Sequence, residues 1–427
     1  MSAAVVSGTL FFGLSSAMAG AIPAPPPVPA EAPFTTPNTD SCPYRSAPAP
    51  AIDLSEAPQP GDPVPDPVPV PDGPVGGPKM GECGVVLADD APPLPADISA
   101  SGWVIADIDS GDVLAAKDPH GRYRPASTIK MLLALVALDQ LDLGTTVTAT
   151  AEDAAIEGSA VGVGKNGRYT NRQLMQGLVM ASGNDAAHLL ARQLGGDAAA
   201  VEKMNRLAAT LGADDTRTAT PSGLDGPGMS SSPFDLALIF HNAMKNATFA
   251  ELISTETVQF PGFPEDPAIP DDQDRPGFAL ANDNQLLYNY EGALGGKTGF
   301  TDDARHTYVG GAERGGHRLM VVLMGAEATP IRPWEQAARL LDFGFASASS
   351  RTAAVGSLSD LHPDEDDSEA VLAVPPGQRP GVSGSAVIAS GSDHPDNSLA
   401  MRTAVGVCGA GVVLVLLLWA RRMLRRR

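Results

Sequence analysis

Ser127 and Lys130, in the stretch Pro125-Ala126-Ser127-Thr128-Ile129-Lys130, are the residues of this chain best placed to do covalent chemistry. They stand three apart at the head of an apolar run, Met131 to Leu141, that reads as a helix. Residues three apart on a helix share a face. The lysine amine would therefore lie near the serine hydroxyl, beside backbone N–H groups left free at the helix start. An amine pressed against Leu132, Leu133 and Leu135 is partly desolvated, which favours its neutral, proton-accepting form. A serine beside such a base is an activated nucleophile for acyl transfer.

Two further short motifs each occur once. Ser182-Gly183-Asn184 falls between two helical patterns, and Lys297-Thr298-Gly299 follows Gly295-Gly296 and precedes a hairpin pattern. Singly, each motif has a plain structural reading: a helix cap, a helix-to-helix turn, a strand-edge turn. Ser-x-x-Lys alone turns up by chance about once in a chain of this length. The three together, in this order and in these settings, favour a catalytic reading.

The elements that must position these residues can be read in outline. Trp103 to Ile108 and Val113 to Ala116 alternate as two strands around the turn Asp109 to Asp112. Helical patterns cover Ser127 to Leu141, Asn171 to Met180, Asp185 to Leu194, Ala198 to Leu211 and Ser232 to Met244. After a loop rich in Pro and Asp (Phe260 to Pro276), Thr307 to Ala312 and Arg318 to Met324 read as a hairpin, and Glu335 to Phe345 as a closing helix. The fold class expected is α/β: a mostly antiparallel sheet covered by helices, with an all-helical subdomain.

Composition bounds the rest. The 427 residues carry a formal charge of −21, which argues against nucleic acid as a partner. The chain's 39 prolines are concentrated rather than spread. Residues 1–20 read as a signal peptide, with an apolar stretch from Val5 to Leu14 and a small-x-small site at Ala17-Met18-Ala19, but with no Lys or Arg before it. Residues 21–97 read as a Pro-rich disordered spacer whose last part, around Cys83 to Leu87, packs on the domain. The catalytic domain is expected over 98–347 and a disordered linker over 348–400. Residues 401–420 read as a transmembrane helix and 421–427 as a basic cytoplasmic tail, which places the catalytic domain outside the cell membrane on a single pass. In an exported chain Cys42 and Cys83 are free to pair, whereas Cys408 lies in the apolar segment. The seven histidines show no zinc-ligand spacing, so neither a metal nor another cofactor is expected.

These motifs resemble the serine D-alanyl-D-alanine carboxypeptidases, the low-molecular-mass penicillin-binding proteins. The likeness extends to Glu157-Gly158-Ser159, Gly164 to Tyr169, Ser182 to Ala187, Lys203-Met204-Asn205, Pro221 to Asp225, Gly296 to Thr301 and Leu340 to Phe345. The resemblance implies roles. Ser127 attacks the bond between two terminal D-alanines of a peptidoglycan stem peptide, and Lys130 takes its proton. The N–H groups of Ser127 and Phe300 form an oxyanion hole. Ser182, with Lys297, returns a proton to the departing D-alanine. Asn184 holds Lys130 and binds the substrate amide, and Lys297 and Thr298 bind the terminal carboxylate. It implies β-lactams as covalent inhibitors. A class A β-lactamase shares the three motifs, but its Glu-x-x-Leu-Asn is not evident here. A D,D-endopeptidase on the same fold, and a non-catalytic wall-binding protein, stay open as alternatives.

Overall fold

The structure, a computed structural model, describes residues 35–58, 60–350 and 352–359. After a Pro-rich segment come β1 (Val85–Val86), β2 (Gly102–Asp107) and β3 (Asp112–Lys117). A 3₁₀ turn, Ala126–Ile129, leads into α1 (Lys130–Gln140). The helical block follows: β4 (Thr146–Thr148), α2 (Ala151–Ala154), β5 (Arg168–Thr170), α3 (Asn171–Met180), α4 (Asn184–Gln193), α5 (Asp197–Leu211), α6 (Pro233–Met244) and α7 (Ala247–Ser254). Next come β6 (Thr257–Phe260), β7 (Phe278–Ala281) and α8 (Leu286–Asn289). The chain then returns through β8 (Ala293–Thr301), β9 (Arg305–Arg314) and β10 (His317–Ala326), and closes with α9 (Pro333–Ser349) and β11 (Gly356–Ser357).

The helix boundaries follow local chemistry. Thr170 and Gln173 form a reciprocal capping box at the start of α3, Ser232 caps α6 with Pro233 in its first turn, and Gly212 ends α5 in the left-handed conformation. The main sheet has the order β1-β3-β2-β10-β9-β8, all antiparallel, with β11 sharing the outer edge of β3. Its middle strand explains an apolar run without alternation: Leu319, Val321 and Leu323 pack towards α9, while Met320, Val322 and Met324 face the helical block. Each such side chain contributes about 1.5–3 kcal/mol on burial. The expected α/β class, with helices on an antiparallel sheet, is the observed one.

Two expected boundaries need correction. Residues 35–97 are not a disordered spacer where they are described; much of 51–73 is exposed, yet the segment runs as a strap docked along the domain well before Cys83. Prolines supply carbonyl acceptors without N–H donors, so a buried Pro-rich chain needs donors from elsewhere. The domain provides them as cations. Arg122, almost wholly buried, donates to the carbonyls of Ser46 (2.9 Å), Val68 and Pro69 (2.8 Å) and to Asp215. Lys117 Nζ donates to Pro37 O at 2.6 Å, and Arg217 to Asp66 O at 2.7 Å. His120 bridges Asp215 (2.7 Å) and Val75 O (3.0 Å). Cys42 and Cys83 are joined in a disulfide that closes the strap on itself. The linker likewise does not begin at 348. β11 pairs with β3, and Val355 and Leu358 are buried there, because this return strand covers an edge that would otherwise expose unpaired backbone. The segments expected as signal peptide (1–20) and transmembrane helix (401–420) lie outside the described residues, and among those described no helix is long and apolar enough to cross a membrane.

Removing one partner of a buried ion pair costs about 3–5 kcal/mol, because the other is left charged and unpaired. Arg122→Met should therefore lower stability by about that amount in urea unfolding, and proteolysis should cut within residues 44–75 under conditions where the wild type resists. A variant as stable and as resistant as wild type would show that the strap does not hang on this guanidinium.

Candidate active site

Ser127 does not open an α-helix; it sits in the 3₁₀ turn, with Lys130 as the first residue of α1. Side chains three apart eclipse one another in a 3₁₀ turn, which tightens the expected Ser–Lys approach. Lys130 Nζ lies 2.7 Å from Ser127 Oγ, 2.7 Å from Asn184 Oδ1 and 2.6 Å from the Ser222 carbonyl. The amine is wholly buried, while Ser127 is half-buried. Burial, reinforced by the nearby Lys297 charge and only partly opposed by Asp283 and Asp185, holds the Lys130 pKa well below its ordinary value.

Asn184 begins α4 and is fixed from three sides. Its Nδ2 donates to Glu157 O (2.8 Å), its backbone N–H to Ser159 O (2.7 Å), and its Oδ1 accepts from Lys130. Gly158 is required beneath it, because a Cβ there would stand 2.5 Å from Asn184 Nδ2 and the backbone φ is +88°. The neighbouring Asp185 accepts the N–H groups of Val161, Gly162 and Val163, which pins the loop ahead of α3 against α4. Ser182, two residues before Asn184, is buried in a left-handed turn at φ 58° and makes no side-chain hydrogen bond among the described residues.

The third wall is β8, the edge strand of the sheet. Lys297 is buried and donates to Thr298 O at 2.7 Å; burial lowers its pKa, with Asp283 pulling the other way. Thr298 is half-buried and gives its hydroxyl to Asp283 (3.1 Å), and Phe300 is about half exposed. Gly299 lets the strand close on the nucleophile, since a Cβ there would meet the Ser127 amide nitrogen at 2.9 Å and collide with Thr307 Oγ1. Thr307 in turn donates to Pro125 O at 2.8 Å.

The structure thus joins Ser127, Lys130 and Asn184 by direct hydrogen bonds. Lys297, Thr298 and Phe300 share β8, which touches the Ser127 turn at Gly299. Ser182 is placed by its turn, without a direct hydrogen bond to the others. Three participants carried no motif signal: the Ser222 carbonyl, Thr307 and Asp283. Ser222 sits in the Pro221 to Asp225 stretch already noted, but a backbone acceptor leaves no mark on residue type. Among the described residues His120, Asp215 and Asp235 could converge on a metal ion. Their ligand atoms already serve Arg122, Val75 O, Thr216 and the Asp215 N–H, and the fixed Arg122 charge opposes a cation there.

Comparison with known proteins identifies the relatives of the chain. The family model described as D-alanyl-D-alanine carboxypeptidase matches residues 88–328. The D-alanyl-D-alanine carboxypeptidase DacB2 of Mycobacterium tuberculosis is 48% identical over 270 residues, covering 62% of this chain and 88% of the relative. DacF of Bacillus subtilis is 32% identical over 253 residues, and the chain spans 62% of that longer relative. Among solved structures, a D-alanyl-D-alanine carboxypeptidase from M. tuberculosis H37Rv matches at TM-score 0.58 and 46% identity, covering 64% of this chain and 99% of that one. The Streptomyces K15 DD-transpeptidase matches at TM-score 0.55 and 29% identity, covering 60% of this chain and 100% of that one. With more than half of its length matched by that family model, and with relatives of this identity, the chain belongs to the D-alanyl-D-alanine carboxypeptidase family of serine-type peptidases.

Proposed function

We propose that this protein removes the terminal D-alanine from peptidoglycan stem pentapeptides through an acyl-enzyme on Ser127. The observation that carries the reading is the buried Lys130 amine at 2.7 Å from the Ser127 hydroxyl, with its pKa held down. Ser127 Oγ attacks the carbonyl of the scissile D-Ala-D-Ala bond while Lys130 Nζ takes the hydroxyl proton. The oxyanion is received by the N–H groups of Ser127 and Phe300. Ser182, with Lys297, passes the proton that Lys130 took on to the departing amine, which returns Lys130 to its neutral form. Water then hydrolyses the ester, with Lys130 again as base, and Ser127 regains its proton.

Two buried lysines divide the labour because their surroundings differ. Lys297, whose pKa burial lowers and Asp283 raises, attracts as a cation the free carboxylate that marks a peptide's C-terminus. That same charge helps keep Lys130 neutral. The substrate carboxylate competes with Asp283 for the Thr298 hydroxyl. Asn184 orients Lys130 and accepts or donates to the substrate amide. A β-lactam, whose strained amide and carboxylate mimic D-Ala-D-Ala, acylates Ser127 and leaves slowly. Export by the N-terminal segment, anchoring by the apolar 401–420 segment and a cytoplasmic basic tail complete the proposal, and trimming stem peptides there limits cross-linking in the wall.

Full-length protein should release D-alanine from an acylated peptide ending in D-Ala-D-Ala and should take a covalent penicillin label. Ser127→Ala should lose both, by about 10³-fold or more. Mass spectrometry of the labelled peptide locates the adduct; equal labelling of the variant would refute the assignment.

The acylation rate should also carry the titration of Lys130. Its active form is the neutral amine, so the rate climbs as pH rises through the depressed pKa. Lys297→Gln removes the neighbouring positive charge, lets the Lys130 pKa rise and moves that limb to higher pH. Stopped-flow acylation by penicillin across pH 5–10 is the check; a limb that stays put, or moves to lower pH, excludes the coupling.

A further inference from the structure

The strap does more than cover the domain: residues Ile52 to Glu56 reach both walls that flank Ser127. On one side, Glu56 forms a two-point ion pair with Arg124, its Oε2 accepting from Arg124 Nη2 at 2.7 Å and its Oε1 from Nε. Arg124 lies three residues before Ser127 and its side chain is only 4% exposed. On the other side, the Ile52 N–H donates to Asp303 Oδ1 at 2.7 Å, and the Ser55 hydroxyl approaches Asp303 Oδ2 at 3.4 Å. Asp303 stands in the turn directly after β8, and Thr301 at the end of that strand donates to Asp225 Oδ1 at 3.0 Å. Asp225 closes the same stretch that supplies the Ser222 carbonyl to Lys130.

The turn held this way is one that needs holding. Ala126 has φ +46°, a left-handed conformation that costs a non-glycine residue about 1–3 kcal/mol. Its carbonyl is approached so closely by Gly223 that a Cβ there would collide with it. Such strain persists only where neighbours over-determine the backbone, and Arg124 is the anchor on the N-terminal side. Paired bidentately, that guanidinium has a fixed position; unpaired, it has to seek other acceptors or water.

Building on the acyl-enzyme reading above, we propose that Glu56 is a positioning residue for the acylation step. Through Arg124 it sets the Ser127 turn, and the same strap segment, through Asp303, sets the end of β8 against it. The two N–H groups of the oxyanion hole sit on those two walls, so the strap fixes their separation. The Cys42–Cys83 disulfide closes a loop of the strap that contains this segment.

The test uses the full chain, with penicillin acylation and D-alanine release as readouts. Glu56→Gln should acylate about tenfold more slowly and lose kcat while KM stays within about twofold, since a small displacement of the nucleophile acts on the reacting geometry. Glu56→Asp, which keeps the charge, should recover much of the loss. Asp303→Asn should reproduce the defect from the other anchor, and also serves if Glu56→Gln folds poorly. The Glu56→Gln/Asp303→Asn pair should lose less than the product of the two single effects, because both act on one separation. Acylation by Glu56→Gln and Asp303→Asn within about twofold of wild type would overturn the proposal, as would a loss confined to KM or one that Glu56→Asp fails to relieve. A wild-type protein that takes no penicillin and releases no D-alanine would overturn the acyl-enzyme reading itself, an outcome separate from any variant-to-wild-type ratio.

Discussion

Burying the Lys130 amine against the Ser127 hydroxyl is the constraint to which the rest of the structure answers. Removing an ammonium from water is costly, and a lysine in such a place sheds its proton instead. The amine here meets three oxygens, on Ser127, Asn184 and the Ser222 carbonyl, each from a different stretch of chain. A neutral amine has two N–H donors and one lone pair, so three oxygen neighbours leave the lone pair directed at one whose own hydrogen can turn towards it. Among the three, the serine hydroxyl alone carries such a hydrogen. Satisfying the asparagine and the carbonyl therefore aims the base at its target.

Each of those oxygens is then a demand on the fold. Asn184 holds station because Glu157, Ser159 and a glycine beneath it fix the side chain and backbone together. The Ser127 turn holds because Thr307 grips Pro125 O and β8 closes over the amide at Gly299. Two non-glycine residues, Ala126 and Ser182, take left-handed backbone within this network. Each of the two turns that present reacting groups thus carries a local conformational cost that its neighbours have to hold.

Residue type and order carried the site a long way. Ser127, Lys130, Asn184 and the Lys297 strand are chemistry-bearing residues with fixed neighbours, and their surrounding helices and hairpin announce themselves by period and by Gly or Pro punctuation. What stayed hidden depends on contacts between distant residues. The turn at Ser127 reads as helix because 3₁₀ and α patterns share their apolar spacing. Asp283 and Ser222 act through charge and a carbonyl, neither tied to a motif. The short β4–β5 and β6–β7 pairs hold three or four residues a strand, too few to show alternation. The strap reads as spacer because its own composition lacks what a packed segment needs. Its donors belong to the domain: Lys117, His120, Arg122, Arg124 and Arg217 are scattered over a hundred residues, and nothing in the Pro-rich stretch names them.

That division has a physical consequence for how strap and site relate. Pro-rich backbone is already extended and stiff, so docking it forfeits less conformational freedom than docking an ordinary loop. The cations that receive it are satisfied by the strap, Arg122 and Arg217 by its carbonyls and Arg124 by the Glu56 carboxylate, so side chains that would otherwise seek water or other acceptors are fixed in place. Arg122, Arg124 and Arg217 all point into the strap, whereas the site's two buried lysines turn to domain oxygens, Lys130 to Ser127, Asn184 and the Ser222 carbonyl and Lys297 to the Thr298 carbonyl. Among the described residues Arg124 alone of the three arginines hydrogen-bonds a strap carboxylate, while backbone carbonyls receive Arg122 and Arg217 and leave their charge in place. Strap and site therefore meet at Arg124, whose guanidinium is held by Glu56 three residues before Ser127.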